Sequence, residues 1–301
     1  MVFRCIYEAE CWEAYMDILV SVVLPLGLAF IMFSLGVGLT VNDFVRVGQQ
    51  PIAFLVGAFN QIVLLPIATY FLVIGFGISG EIAVGFMILA ACPGGVTSNI
   101  ITRMAKGDVA LSVSLTAVIS LASMITVPVI LGIALNRFMG ESAPQINIVS
   151  AAMTVFALTV VPIVIGMALK SKFPAAMMRG EPVLSKIAIA LFVIIIAAAI
   201  AANWTLFVEN AQLLGPALVT LLVVLTALGY FVSRLLGRSR HEAKTVSIET
   251  GVQNGTLGIA IAAIIVGGGS GFSPYALPSA VYGIAMYLII LPVIFIYRRM
   301  D

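Results

Sequence analysis

The chain has 301 residues, of which 62% are hydrophobic and only 9% charged, with a net charge of +2. Soluble domains carry about 25% charged residues, so this composition excludes a soluble catalytic domain and points to an integral membrane protein. At roughly 20 to 25 residues per span, there is room for about nine or ten helices and little else.

Residues 1–17 carry Glu8, Glu10, Glu13 and Asp17 against Arg4, without the basic start and cleavage site of a signal peptide. They are expected to form an extracytoplasmic tail, with the first span kept as an anchor. Cys5 and Cys11 on this tail are positioned to pair in an oxidising exterior, although free thiols are the commoner state there. Cys92 lies deep in a span and has no partner to pair with.

Apolar blocks between polar punctuation predict nine spans, at 18–40, 51–75, 80–102, 109–136, 146–169, 184–202, 211–233, 245–267 and 276–297. They are helical because backbone groups facing lipid must be satisfied within the segment, and barrel strands would be shorter and alternating. The expected fold is therefore an all-α polytopic membrane protein. With the N-terminus outside, 13 of the 15 Lys and Arg residues fall on the inner side, among them Arg46, Arg103, Lys106, Lys170, Arg179, Arg238 and Lys244. Only Arg4 and Arg137 fall outside. That is a strong positive-inside bias, and it requires an odd number of spans. It places a cytoplasmic tail at 298–301 and, most simply, the whole chain in the inner cell membrane. The basic loops are explained by topology and call for no nucleic acid.

Two spans are interrupted in corresponding places. The third contains Cys92-Pro93-Gly94-Gly95-Val96-Thr97-Ser98-Asn99, and the eighth contains Glu249-Thr250-Gly251-Val252-Gln253-Asn254-Gly255-Thr256. Proline removes a donor and glycine weakens a helix, so both segments are expected to unwind near mid-membrane. Spans one to four map onto spans six to nine with the break in the third member each time. The offset of five inverts the second unit, and span five is left without a counterpart. Matched interruptions of this kind are the mark of inverted-repeat transporters, and packing by small residues is the blander explanation. Glu249 sharpens the choice. A carboxylate at mid-membrane costs roughly 2.5–3.5 kcal/mol or more, and such a group is seldom kept without a cation or a proton.

These pieces, together with Gly107-Asp108-Val109-Ala110-Leu111-Ser112-Val113-Ser114-Leu115-Thr116, resemble the bile acid:sodium symporter family from about residue 25 to the C-terminus. Ten-helix bacterial members carry an extra first helix, and nine spans are similar to the vertebrate hepatic branch. The resemblance implies a core domain whose two broken helices cross, packed on a smaller panel domain, with two sodium sites behind the crossing. The core repeats would be 51–136 and 245–297. The segments 18–40, 146–202 and 211–233 would supply panel and linking helices, their partition left open.

Carried over by motif, the first sodium site would use Ser98, Asn99, Ser112, Thr116 and Glu249. The second would use Gln61, Glu249 and Gln253, with backbone carbonyls near Thr250 and Val252. All of these present oxygen, which suits a hard cation, and Ser112 and Thr116 share one helix face. Substrate contacts are expected from backbone donors around Val96 and Thr97, from the Thr97 hydroxyl, and from Asn254 and Thr256, where helix N-termini attract an anion. Some relatives place a histidine–asparagine pair in the last span. Here that region reads Tyr282-Gly283-Ile284-Ala285-Met286-Tyr287, so a steroid-sized substrate is not assumed.

The expectation is a sodium-coupled importer of an organic anion, bile-acid-like or a small carboxylate, working by alternating access as a monomer. A proton-coupled or uncoupled exporter of an anion or metalloid is the alternative, with Glu249 as proton carrier. A non-transporting scaffold leaves the polar clusters unexplained. An enzyme is least favoured, because no nucleophile–base pair, histidine cluster or cofactor loop is visible. His241, in the basic inner loop, reads as a solvated residue. Asn203-Trp204-Thr205 fits an N-glycosylation acceptor on an outer loop.

Overall fold

A computed structural model describes residues 22–265 and 273–300, and all regular elements among them are helical. Cys5, Cys11 and the predicted 1–17 tail lie outside the described residues. Helix α1, Leu24–Gly38, starts with a proline in its first turn, where the missing N–H costs nothing. The chain then bends by 65° into a short helix α2, Val41–Gln49. A capping box starts it, with the Thr40 N–H and hydroxyl both donating to Asp43 Oδ2, at 2.7 and 2.8 Å. The sequence reading ended this span in a loop bearing Arg46. Arg46 instead rides on α2, whose polar sequence lacked the long apolar period of a span.

Helix α3, Pro51–Gly75, contains one widened π-helical turn at Asn60–Leu64. Pro66 follows one residue after it and donates no backbone hydrogen bond, which is a known cause of such local rearrangement. The turn buries Asn60 and Gln61 together. Next come α4, Gly80–Ala91, and α5, Val96–Met104, separated by the first break. Helix α6, Val109–Met139, is capped by Asp108, which accepts from the Leu111 N–H at 3.0 Å.

Helix α7, Ile148–Lys172, repeats the device of α3, with a π-helical turn at Phe156–Val160 ahead of Pro162. Helices α8, Pro174–Ala202, and α9, Trp204–Leu235, meet at the single residue Asn203. Asn203 folds its side chain back onto the Ala199 carbonyl at 3.0 Å. The outer loop expected around it therefore has no length, and the glycosylation reading loses the exposed, extended chain it needs. Helix α10, Arg240–Gly251, opens with a Ser239–Glu242 capping box, and the second break separates it from α11, Gly255–Ile265. Lys244, assigned by sequence to the inner loop, lies fully buried within α10. His241 is exposed as expected, but its Nδ1 also meets the Lys106 carbonyl at 2.7 Å. Helix α12, Leu277–Arg299, completes the fold.

Among the described residues, seven helical segments are long and apolar enough to cross a bilayer, or eight if α1 and α2 count as one bent span. The predicted third span does not qualify, because its helices have only 12 and 9 residues.

Helix α1 packs along α7 and α8, α9 packs along α10, and α4 packs on α6. The α1–α7 contact is a close backbone crossing. A Cβ at Gly36 would land on the Ile163 carbonyl, and one at Gly166 on the Phe33 carbonyl. Small residues are how membrane helices achieve such approach. Gly36→Leu is expected to force the pair apart and lower stability by about 1–3 kcal/mol. Thermal unfolding of the purified variant checks this, and an unchanged midpoint would show that the crossing is not tight.

Candidate functional site

The two breaks touch. The backbone N–H of Asn254 donates to the Pro93 carbonyl at 2.9 Å. Gly94 packs so closely that a Cβ there would lie 2.8 Å from Glu249 Oε2, 3.1 Å from Ser98 Oγ and 3.5 Å from the Val252 carbonyl. The glycine expected for its flexibility is thus also required for space beside the carboxylate.

Glu249, in the last turn of α10, is completely buried. Its Oε1 accepts from Ser112 Oγ, and its Oε2 accepts from Thr116 Oγ at 2.9 Å and Gln61 Nε2 at 3.4 Å. Ser112 Oγ also lies 2.8 Å from Asn99 Oδ1, and Ser98 Oγ lies 3.4 Å from Thr116 Oγ. Every residue of the predicted first cluster is therefore brought together. Both carboxylate oxygens therefore have polar partners, drawn from α3 and α6.

Breaking α10 releases its last carbonyls from helical pairing, and side chains from three places satisfy them. Gln61 Nε2 donates to the Glu249 carbonyl at 2.7 Å, Gln253 Nε2 to the Thr250 carbonyl at 2.7 Å, and Tyr282 OH to the Gly251 carbonyl at 2.5 Å. These bonds orient both glutamines, and their amide oxygens, Gln61 Oε1 and Gln253 Oε1, are buried without any donor. Buried acceptors are rarely left unpaired. A pair of them flanking the break that carries a buried carboxylate offers what a hard cation takes and a helix does not need. Thr250 Oγ, in contrast, ties back to the Val246 carbonyl at 2.6 Å. Only its main chain is available for the role expected of it, alongside the Val252 carbonyl facing Gly94.

On the other side of the breaks lies a cavity of about 570 Å³, bounded by α1, α5, α8 and α12. Thr97, Asn254 and Thr256, the predicted substrate residues, line it, and so does Gln253. Val96 is the first residue of α5. Asn254 caps α11, its Oδ1 accepting from Thr256 Oγ at 2.7 Å and from the Leu257 N–H at 3.1 Å. Gln253 therefore lines the cavity while its amide donates to the Thr250 carbonyl at the end of α10.

Residues 25–210 match the family model described as the Sodium Bile acid symporter family. The chain belongs to that family. It is 27% identical over 266 residues to a protein of Bacillus subtilis (strain 168) named an uncharacterized sodium-dependent transporter, YocS, covering 88% of this chain and 79% of that one. It is 28% identical over 254 residues to the ileal sodium/bile acid cotransporter of Oryctolagus cuniculus, covering 83% and 72%. To a probable chloroplastic sodium/metabolite cotransporter, BASS2, of Oryza sativa subsp. japonica, the identity is 29% over 237 residues, covering 78% and 55%. As a member of the symporter family with this set of apolar helices, the chain is an integral membrane protein, and the relatives' names tie the family to sodium-dependent transport.

Sequence reasoning missed three site residues. Thr102 Oγ lies 3.3 Å from Ser112 Oγ; its spacing of four from Ser98 was the available signal. Tyr282 supports the broken α10, and Tyr287 donates to Thr97 Oγ at 3.1 Å. Neither tyrosine had a local signature, since each partner lies more than 30 residues away.

Proposed function

We propose that this family member is a sodium-coupled symporter that imports an organic anion by alternating access. The observation that carries the reading is Glu249, fully buried beside two touching breaks and contacted by Gln61, with the amide oxygens of Gln61 and Gln253 buried and unpaired. The first sodium would take Ser98, Asn99, Ser112, Thr116 and Glu249. The second would take Gln61, Glu249, Gln253 and the main-chain oxygens of Thr250 and Val252. A proton needs only a carboxylate, and the surplus of hydroxyl and amide oxygens favours the larger cation.

Counting α4 and α5 as one discontinuous crossing, and α1 and α2 as another, restores nine spans and an inverted repeat. The close packing of α1, α7 and α8 supports assigning them to the panel, with α3–α6 and α9–α12 as the core. The N-terminus would then be outside, the C-terminus cytoplasmic, and the inner membrane of the cell the simplest location. A single chain contains all the parts, which supports a working monomer.

The anion would occupy the cavity at Val96, Thr97, Asn254 and Thr256. Glu249 alone faces two cations, so an anion across the breaks supplies missing charge, and each ligand favours the other. Two sodium ions with one monovalent anion carry one net positive charge, which gains about 2.3 kcal/mol per 100 mV. Proteoliposomes should therefore show an inward current when a transported anion is added in sodium. Sodium-driven uptake with no current would overturn this stoichiometry.

A further inference from the structure

Tyr287 lies on α12 at the cavity wall, away from the proposed sodium ligands. Its hydroxyl donates to Thr97 Oγ at 3.1 Å, and its ring meets Phe192 of α8 edge-on, with centroids 6.0 Å apart at 87°. A threonine hydroxyl has one proton and two acceptor sites. With one site filled by Tyr287, the Thr97 proton is free to point into the cavity. Hydroxyls arranged in series also polarise one another.

Asn254 is fixed in the same sense. Its Oδ1 is held by Thr256 and Leu257, and Nδ2 remains as its donor. Among the described residues, no charged side chain lines the cavity. Opposite the breaks the wall is Ile189, Phe192, Val193, Ile196, Ile284 and Leu288. A second charge on the substrate would face that wall without a partner, at high cost.

Building on the symporter reading, we propose that Tyr287 is a positioning residue for the transported anion: its hydroxyl turns the Thr97 proton toward a single carboxylate head, while its ring and Phe192 favour a flat apolar body. The substrate class is a monocarboxylate bearing one planar ring, with dicarboxylates excluded.

The test titrates the full chain, purified in detergent and sodium chloride, with benzoate, phenylacetate, acetate and succinate, reading thermal stabilisation. Benzoate and phenylacetate should stabilise at concentrations at least tenfold below acetate, and succinate should not stabilise. Tyr287→Phe should raise the benzoate midpoint about fivefold to tenfold, the loss of one neutral hydrogen bond, with the sodium midpoint unchanged. Thr97→Val should do the same, and the double variant should add nothing further. Succinate acting as well as benzoate, an unmoved benzoate midpoint in Tyr287→Phe, or additive variants would overturn the proposal. Sodium stabilisation without any response to these anions would overturn it and leave symport standing. Discriminating benzoate binding in a protein indifferent to sodium would refute symport and leave the role of Tyr287 standing.

Discussion

Replacing Glu249 with glutamine should abolish sodium-specific stabilisation and sodium-driven transport together. A ligand bound only by the folded state stabilises by mass action, about 2.7 kcal/mol at a hundredfold excess over Kd. Wild-type protein should accordingly melt higher in sodium chloride than in potassium or choline chloride at equal ionic strength. Glu249→Gln retains an oxygen for Ser112 or Thr116, whose hydroxyls can rotate to meet the new amide, so the helices should stay assembled. What it loses is the one negative charge in a fully buried cluster, and neutral oxygens alone compensate poorly for the dehydration of two cations. In choline the variant should match or exceed wild type, because an unpaired buried carboxylate is itself destabilising. A sodium-specific shift that survives in Glu249→Gln would remove this residue from the ion sites.

The second large effect should come from a single methyl group. In Gly94→Ala the new Cβ would lie 2.8 Å from Glu249 Oε2 and 3.1 Å from Ser98 Oγ. It would occupy the space between the breaks and displace the carboxylate from its hydroxyl partners. Sodium affinity, read from the midpoint of stabilisation, should fall by at least about tenfold, equivalent to about 1.4 kcal/mol. Gly95→Ala is the matched control. A Cβ there meets nothing closer than Thr97 Oγ at 3.9 Å, and its extended backbone, with φ of −128° and ψ of −176°, accepts alanine without strain. The two variants change the same helix break by the same atoms. Equal effects would mean that backbone flexibility, and not space beside Glu249, explains the glycine pair.

Much of the site was legible in the sequence because its chemistry is locally costly. A carboxylate, a Pro-Gly-Gly run and clustered amides stand out in a chain so apolar, and the structure brings Ser98, Asn99, Ser112, Thr116, Gln61 and Glu249 together. The breaks were placed correctly because proline and glycine act on the helix that contains them. What depends on distant partners was not legible. Tyr282 and Tyr287 read as ordinary residues of the last span, and Phe192 as one more apolar residue in α8, until the fold set them against Gly251, Thr97 and each other. Helix α2 was missed because it is short and polar. The widened turn in α3 was hidden too, although Pro66 was in view and is its physical cause. Thr250 was expected to act through its main chain, and its hydroxyl is turned back onto the Val246 carbonyl of its own helix.

Equilibrium binding of radioactive sodium to the purified protein tests the central claim most directly. The account predicts saturable binding approaching two ions per chain, displaced by unlabelled sodium but not by equal potassium, strengthened by a bound anion, and absent in Glu249→Gln. Binding that potassium displaces equally well, or no saturable binding at all, would contradict it and leave Glu249 to be explained by proton chemistry.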